Sequence, residues 1–297
     1  MSILRDQINE GPSRLRSLLR EKPIMLPGVF NGVSAIIAEK VGFEAVYISG
    51  SGVAGNMGFP DLSVTTLTEV AEECKRISAV TSLPVVVDAD TGFGETINVI
   101  RTVRELEWAG ASAIHLEDQV LPKRCGHLSG KSVVPTETMV QKISAAVSAR
   151  RDKNFMIIAR TDARAVEGLD SALERIREYI SAGADAIFPE ALESEDEFRE
   201  VASKVKVPLM ANMTEFGKSP LLSFNELSSM GYRIVLFPLT AFRAMLKTTE
   251  HIYKTLKEKG TQRMILDDLM TRKDYYSYIG YDDYEREDAE LSAKGVE

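Results

Sequence analysis

The sequence predicts a closed parallel (β/α)8 barrel, and three observations carry that expectation. Short apolar runs rich in Val, Ile and Phe alternate with longer stretches of helical period. A Gly-x-x-Ala signal recurs where a helical stretch gives way to an apolar run. Nearly every apolar run ends in a residue able to react or to hydrogen-bond.

In chain order the eight apolar runs are 24–30, 45–49, 84–90, 113–118, 155–161, 186–190, 208–214 and 233–238. Helical stretches lie between them at 33–40, 68–80, 97–108, 137–150, 171–181 and 195–204. Gly42-Phe-Glu-Ala45, Gly110-Ala-Ser-Ala113 and Gly183-Ala-Asp-Ala186 each close a helical stretch and open a run, and Gly231 before Tyr232 does something similar. Strand and helix alternation of this kind implies a parallel sheet. Such a barrel takes about 250 residues, so 297 residues leave room for an N-terminal helix and a C-terminal extension. We read 1–297 as one domain, with 119–135 as a lid loop and 261–297 as an extension for subunit contacts.

Composition narrows the function. Lys plus Arg number 36 against 44 Asp plus Glu, a net charge of -8, with no basic run to track phosphates, so nucleic acid is not an expected partner. Apolar runs fall far short of the roughly 20 residues of a membrane helix, and Arg14, Arg16 and Arg20 are interleaved with acids, unlike a signal peptide. A cytoplasmic protein is expected, without membrane contact. Cys74 and Cys125 are too few for a disulfide framework. Cys74, among apolar residues of a helical stretch, reads as inert core.

In a barrel, the run ends Ser49-Gly50-Ser51, Asp88-Ala-Asp90, Glu117-Asp118, Arg160-Thr-Asp162, Glu190 and Asn212-Met-Thr214 converge on the C-terminal mouth, where barrel enzymes keep their chemistry. One carboxylate after a strand is commonly a helix cap; six such ends are not. Asp88 and Asp90, two apart on a strand, share a face, and Glu117 completes an acidic cluster. Oxygen ligands suit a hard cation, and few protein ligands with several waters suit Mg2+ rather than Ca2+. The bland reading has one aspartate capping Thr91-Gly-Phe-Gly94.

Lys123-Arg124-Cys125-Gly126-His127 lies in the long loop after the fourth run. Three potential cations around one thiol would favour the thiolate, making Cys125 a nucleophile or an acid/base group. A loop of this length is frequently a lid. Gly50-Ser-Gly52-Val-Ala-Gly55 formally fits a dinucleotide fingerprint, but that motif must open a helix, and Gly58 and Pro60 follow closely. These glycines are read instead as letting a substrate carboxylate approach backbone N–H groups. Arg160 and Arg243 follow apolar runs and suit forked recognition of carboxylates, with a surface ion pair as the alternative. His115, between Ile114 and Leu116, reads as a core histidine, and His251 as helix surface. Five of the nine tyrosines, Tyr275, Tyr276, Tyr278, Tyr281 and Tyr284, fall after residue 270, which suggests a partner subunit.

Lys123-Arg-Cys-Gly-His127, Val87-Asp-Ala-Asp90, His115-Leu-Glu-Asp118, Ala159-Arg-Thr-Asp162, Phe188-Pro-Glu190 and Asn212-Met-Thr-Glu-Phe216 together closely resemble the isocitrate lyase and phosphoenolpyruvate mutase superfamily. The similarity runs almost end to end, and within the superfamily the methylisocitrate lyase branch is the most similar. The resemblance implies a barrel whose last helix is exchanged between subunits of a homotetramer, a dimer of dimers. It implies Mg2+, with Mn2+ as a substitute, and cleavage of a small tricarboxylate, 2-methylisocitrate, to pyruvate and succinate by retro-Claisen chemistry. Carried over residue by residue, Cys125 is the proton donor; Lys123, His127 and Arg160 supply positive potential; Tyr47 matches the candidate hydroxyl base. Asp88, Asp90, Glu117 and Asp61 match the metal site. Ser49, Gly50 and Ser51 face the pyruvate side, Glu190, Asn212, Thr214 and Arg243 the succinate side, and Phe188, Leu236 and Pro238 the methyl pocket, with Gly126 a further substrate-binding position.

Two departures bear on the substrate. After His127 the chain reads Leu-Ser-Gly-Lys131, nearer to isocitrate lyases, and Ser51 replaces a glycine. A short isocitrate lyase, a phosphonopyruvate- or oxaloacetate-acting relative and a barrel that binds metabolites without turnover stay open as alternatives.

Overall fold

The computed structural model describes residues 10–128 and 130–294. Positions 1–9 and 295–297 of the expected domain, and Ser129 of the lid motif, lie outside the described residues. In chain order the elements are α1 (Gly11–Glu21), β1 (Ile24–Val29), α2 (Gly32–Val41), β2 (Val46–Ile48), α3 (Gly50–Asn56), α4 (Leu67–Ser78), β3 (Val85–Asp88), α5 (Thr96–Trp108), β4 (Ala113–Glu117) and α6 (Thr136–Ala149). They continue as β5 (Met156–Thr161), α7 (Arg164–Glu167), α8 (Leu169–Ser181), β6 (Ala186–Pro189), α9 (Glu195–Lys204), β7 (Met210–Asn212), α10 (Phe224–Met230), β8 (Ile234–Phe237), α11 (Thr240–Lys259), α12 (Arg272–Ile279) and α13 (Tyr281–Lys294). All eight expected strands form, each within its run.

The strands pair in parallel in the order β6-β5-β4-β3-β2-β1-β8-β7. The barrel closes between β6 and β7 through a single bridge, Ile187 to Leu209, with the Ile187 N–H donating to Pro208 O at 3.0 Å. β7 is three residues long and follows Pro208, which has no N–H to extend the ladder. Gly42, Gly110, Gly183 and Gly231 have φ of 103°, 98°, 102° and 109°, so the recurring glycine ends each helix in the left-handed conformation that turns the chain into its next strand.

Period-two alternation sorts every strand into two cores. Outward residues such as Ile48, Val85, Val87, Ile114, Leu116, Ile157 and Ile187 join the helices in one apolar shell. Inward residues, among them Leu26, Val86, Ala113, Ile158, Phe188, Met210 and Leu236, fill the barrel. The N-terminal mouth is plugged by α1, whose Leu15 and Leu19 belong to that interior core. Around them, Arg16 and Arg150 both pair with Asp185 at 2.7 and 2.6 Å, and Arg233 caps α1 by donating to Leu19 O.

Beyond β8 the chain is far less buried. α11 buries Phe242 alone among its 20 residues, and α12 none. Tyr253, Met264, Leu266, Met270, Tyr284 and Leu291 are each more than half exposed. Among the described residues no helix is long and apolar enough to cross a membrane.

Candidate active site

The inward register that fills the barrel with methyl groups continues two residues further, and there it delivers charge. Asp88 follows Val86, His115 and Glu117 follow Ala113, Arg160 follows Ile158, Glu190 follows Phe188 and Asn212 follows Met210. Asp88, His115, Glu117, Arg160 and Glu190 are buried, gathered over Tyr47 and Phe188.

Asp90 lies past the end of β3, not on it as the spacing suggests, and reaches the cluster through a left-handed backbone, φ 46°. Its N–H donates to Asp88 Oδ1 at 3.0 Å, and a Cβ on Gly50 would lie 3.1 Å from Asp88 Oδ2 and 3.2 Å from Asp90 Oδ1. The Gly50 N–H itself donates to Asp88 Oδ2 at 3.0 Å, so this amide serves the aspartate, not the expected substrate carboxylate. The glycine segment also differs from expectation in forming a helix, α3, directly after β2. Lys123 reaches in from the lid to pair with Asp61 at 2.5 Å and Asp90 at 2.9 Å, bringing Asp61 to the cluster. Burial, then the neighbouring Asp88, push the Asp90 carboxyl up to about 6. Burial pushes Glu117 well above the carboxylate range, against the pull of Arg160.

Glu117 Oε1 is buried without a hydrogen bond, and Glu117 Oε2 and Asp90 Oδ1 face Arg160 at 3.2 Å and Lys123 at 2.9 Å. Such carboxylate oxygens fit a hard divalent cation. Among the described residues no three His, Cys, Asp or Glu side chains gather closely enough to enclose an ion by themselves.

Arg160 is the hub of the other half. Its Nε and Nη2 fork onto Asp162 at 2.9 and 3.2 Å, Nη1 lies 3.2 Å from Glu117 Oε2, Nη2 lies 3.9 Å from Glu190 Oε1, and the guanidinium stands 5.2 Å over the Phe188 ring. The arginine expected to bind substrate is thus already engaged by three protein carboxylates. Glu190 also meets His127 Nε2 at 3.1 Å and accepts from Asn212 Nδ2 at 3.3 Å. Burial of Glu190 is outweighed by Arg160 and His127, which hold the carboxyl low.

His115, read as plain core, is buried but not inert. Its Nε2 lies 2.7 Å from Tyr47 Oη and 3.5 Å from Asp88 Oδ1, and its ring stacks on Tyr47 and meets Phe188 edge-on. Burial brings the imidazole down to about 4, so the ring is neutral at neutral pH. Burial, then Asp88, push the Tyr47 phenol well above 10. That keeps it a phenol and counts against the expected role as hydroxyl base. The parity of His115 with Glu117 was the available signal for its place in the site.

The long loop after β4, expected as a lid, is fastened at base and tip. Val134 N–H donates to Asp118 O at 2.8 Å, and the Gln119 amide clamps both backbone groups of Arg124, at 2.8 and 2.9 Å. At the tip the Lys218 N–H donates to His127 Nδ1 at 3.0 Å, which leaves the ring proton on Nε2 to face Glu190. Gly126 is required sterically, since a Cβ there would lie 2.2 Å from Glu190 Oε1 and 2.5 Å from Arg160 Nη2. Lys123 turns to Asp61 and Asp90, and the His127 ring to Glu190 and the Lys218 backbone. Burial raises the Cys125 thiol, opposed by a hydrogen bond from the His127 backbone. The expected thiolate is therefore a protonated thiol.

Of the remaining expected residues, Ser49, Thr214, Leu236 and Pro238 are buried around the mouth, while Ser51 is half-buried on α3. Arg243 is tied instead to the loop after β7, donating to Glu215 O at 2.6 Å and Oε2 at 2.8 Å and standing 5.6 Å over the Phe216 ring. Lys131, which the sequence reading did not place in the site, meets Asp162 of the fifth run end at 2.6 Å, with both side chains buried.

A family model described as phosphoenolpyruvate phosphomutase matches residues 15–257. The chain belongs to that family. Among curated members it is 56% identical to a 2-methylisocitrate lyase of Aeropyrum pernix, over 95% of this chain and 92% of the relative. Among solved structures of the phosphomutase family, a 2,3-dimethylmalate lyase superposes with TM-score 0.89 at 37% identity, covering 95% of each chain. A phosphonopyruvate hydrolase complexed with oxalate and Mg2+ superposes with TM-score 0.86 at 29% identity, over 94% of this chain and 98% of its own.

Proposed function

We propose that this chain cleaves 2-methylisocitrate to pyruvate and succinate. The observation that carries the reading is the Cys125–His127 turn packed against a mouth where carboxylates and one buried arginine meet. The likeness to a 2-methylisocitrate lyase at 56% identity supports the substrate.

Asp88, Asp90 and Glu117, with Asp61 nearby, would hold Mg2+, for which Mn2+ can substitute, and the ion when bound would offset the negative charge that grows on the substrate's hydroxyl oxygen. Loss of the hydroxyl proton to water turns that oxygen into the carbonyl of pyruvate, breaks the C–C bond and sends its electron pair to the succinate carbon. Cys125, kept protonated by its raised pKa, gives its thiol proton to that carbon as general acid and is left as a thiolate that water reprotonates. Arg160, with Lys123 and His127, supplies positive potential to the carbanion's carboxylate. Ser49, Gly50 and Ser51 border the pyruvate side, and Glu190, Asn212 and Thr214 the succinate side, with Gly126 packed against Glu190 and Arg243 reaching it only if it leaves Glu215. Phe188, Leu236 and Pro238 offer apolar surface to the methyl group, a discrimination worth roughly 1 to 3 kcal/mol.

The test is proton NMR of products formed from 2-methylisocitrate and, separately, isocitrate with Mg2+. Faster release of pyruvate and succinate from the methylated substrate is expected; faster release of glyoxylate would overturn the assignment. We further propose that the exposed apolar residues after β8 pack between subunits of a homotetramer, with the last helices exchanged. Light scattering should then return four times 32.8 kDa.

A further inference from the structure

The lid lysine that the reaction scheme leaves unused sits at the most buried ion pair of the mouth. Lys131 Nζ lies 2.6 Å from Asp162 Oδ1, with the two side chains 1% and 0% exposed, and it also donates to the carbonyl of Gly126. Asp162 is the same carboxylate onto which Arg160 forks, and its backbone N–H is anchored to Asp118 Oδ1 at 2.8 Å. Asp118 is itself fixed by the Thr161 and Tyr179 hydroxyls at 2.7 and 2.8 Å. Asp162 therefore cannot move away from either cation.

We propose that Lys131 is a positioning residue with two linked effects. By neutralising one side of Asp162 it leaves more of the Arg160 charge to act on Glu117, Glu190 and substrate. By holding the Gly126 carbonyl it presses the Cys125–His127 turn against Arg160 and Glu190, where the contact is so close that only glycine fits. Without the lysine, a buried carboxylate has Arg160 as its remaining cation and draws it off the site. The turn that carries the proton donor loses its inner tether at the same time. The turnover part of this inference rests on the proposed cleavage reaction, whereas the tether does not.

The experiment uses the full-length protein and two readouts. The first is iodoacetamide alkylation of Cys125 without substrate; Cys74 is fully buried, so one thiol reports. Lys131→Met should alkylate about tenfold faster than wild type, and Lys131→Arg should restore the slow rate. The second is kcat and KM for 2-methylisocitrate in a cycle with Asp162→Asn. Lys131→Met should lower kcat more than it raises KM, and Lys131→Met/Asp162→Asn should turn over about tenfold faster than Lys131→Met, since the stranded charge is gone. Should Lys131→Met not yield folded protein, Lys131→Gln is read in the same way. Alkylation within twofold of wild type overturns the tether, and losses in the double variant that simply multiply overturn the charge sharing. Absence of cleavage by wild type, with fast alkylation of Lys131→Met, would instead count against the reaction and leave the tether standing.

Discussion

The two mouths of the barrel are built from the same strands and do opposite work. At the N-terminal end Leu15 and Leu19 enter the interior, and the ionic groups Arg16, Arg150 and Asp185 stand partly in solvent around them. At the C-terminal end the charges are inside and the exposed apolar residue Phe216 is outside. The first arrangement follows hydrophobic burial and stabilises the fold. The second places carboxylates where water is scarce, one Glu117 oxygen among them without a hydrogen bond, which costs stability. Function and stability are thus separated along the strand axis, by no more than a few residues of each strand.

Three substitutions test that separation. The largest effect is expected from Cys125→Ala, which should lower kcat by about 100- to 10,000-fold, the contribution of a general acid, while leaving the denaturation midpoint unchanged; a variant keeping a tenth of wild-type turnover would remove Cys125 from the step. At the opposite mouth Leu15→Ala should cost about 2 to 5 kcal/mol in urea denaturation, with turnover per folded molecule unaltered. Altered kcat in that variant would mean that the two ends are coupled. The smallest effect is thermal: Asp90→Asn, with divalent cations chelated, should raise the melting temperature by a few degrees at pH 7.5 and by less at pH 5. The native carboxyl titrates at about 6, above its unfolded value of 3.8, so its stability contribution is complete below 3.8 and is lost as pH rises through 6. The same variant should lose its response to Mg2+, and an unchanged Mg2+ titration would take Asp90 out of the metal site.

How much of this was legible in the sequence follows the same axis. The strands were, because alternation of Val and Ile with helical stretches is a local pattern, and the glycine before each run marked the turn. Asp88, Glu117, Arg160 and Glu190 were, because they sit at run ends. What was not legible depends on which partner a side chain meets. Cys125 stands among cations in sequence, yet Lys123 and His127 turn to Asp61, Asp90 and Glu190, and burial decides the thiol's state. Arg160 looked free for substrate because its partners, Glu117 and Asp162, approach from the neighbouring strand and from two residues on. Lys131 gave no signal, since its partner lies on another strand end.

The unequal closure of the barrel has a mechanical consequence. A hoop with seven continuous joints and one weak joint is as stiff as its clasp. The weak joint lies between β6 and β7, and at the mouth His127 spans it, touching Glu190 beyond β6 and the backbone of Lys218 beyond β7. The loop that carries Cys125 is therefore also the pin of the clasp, so that the ring is held at its weak joint by the same segment that covers the mouth.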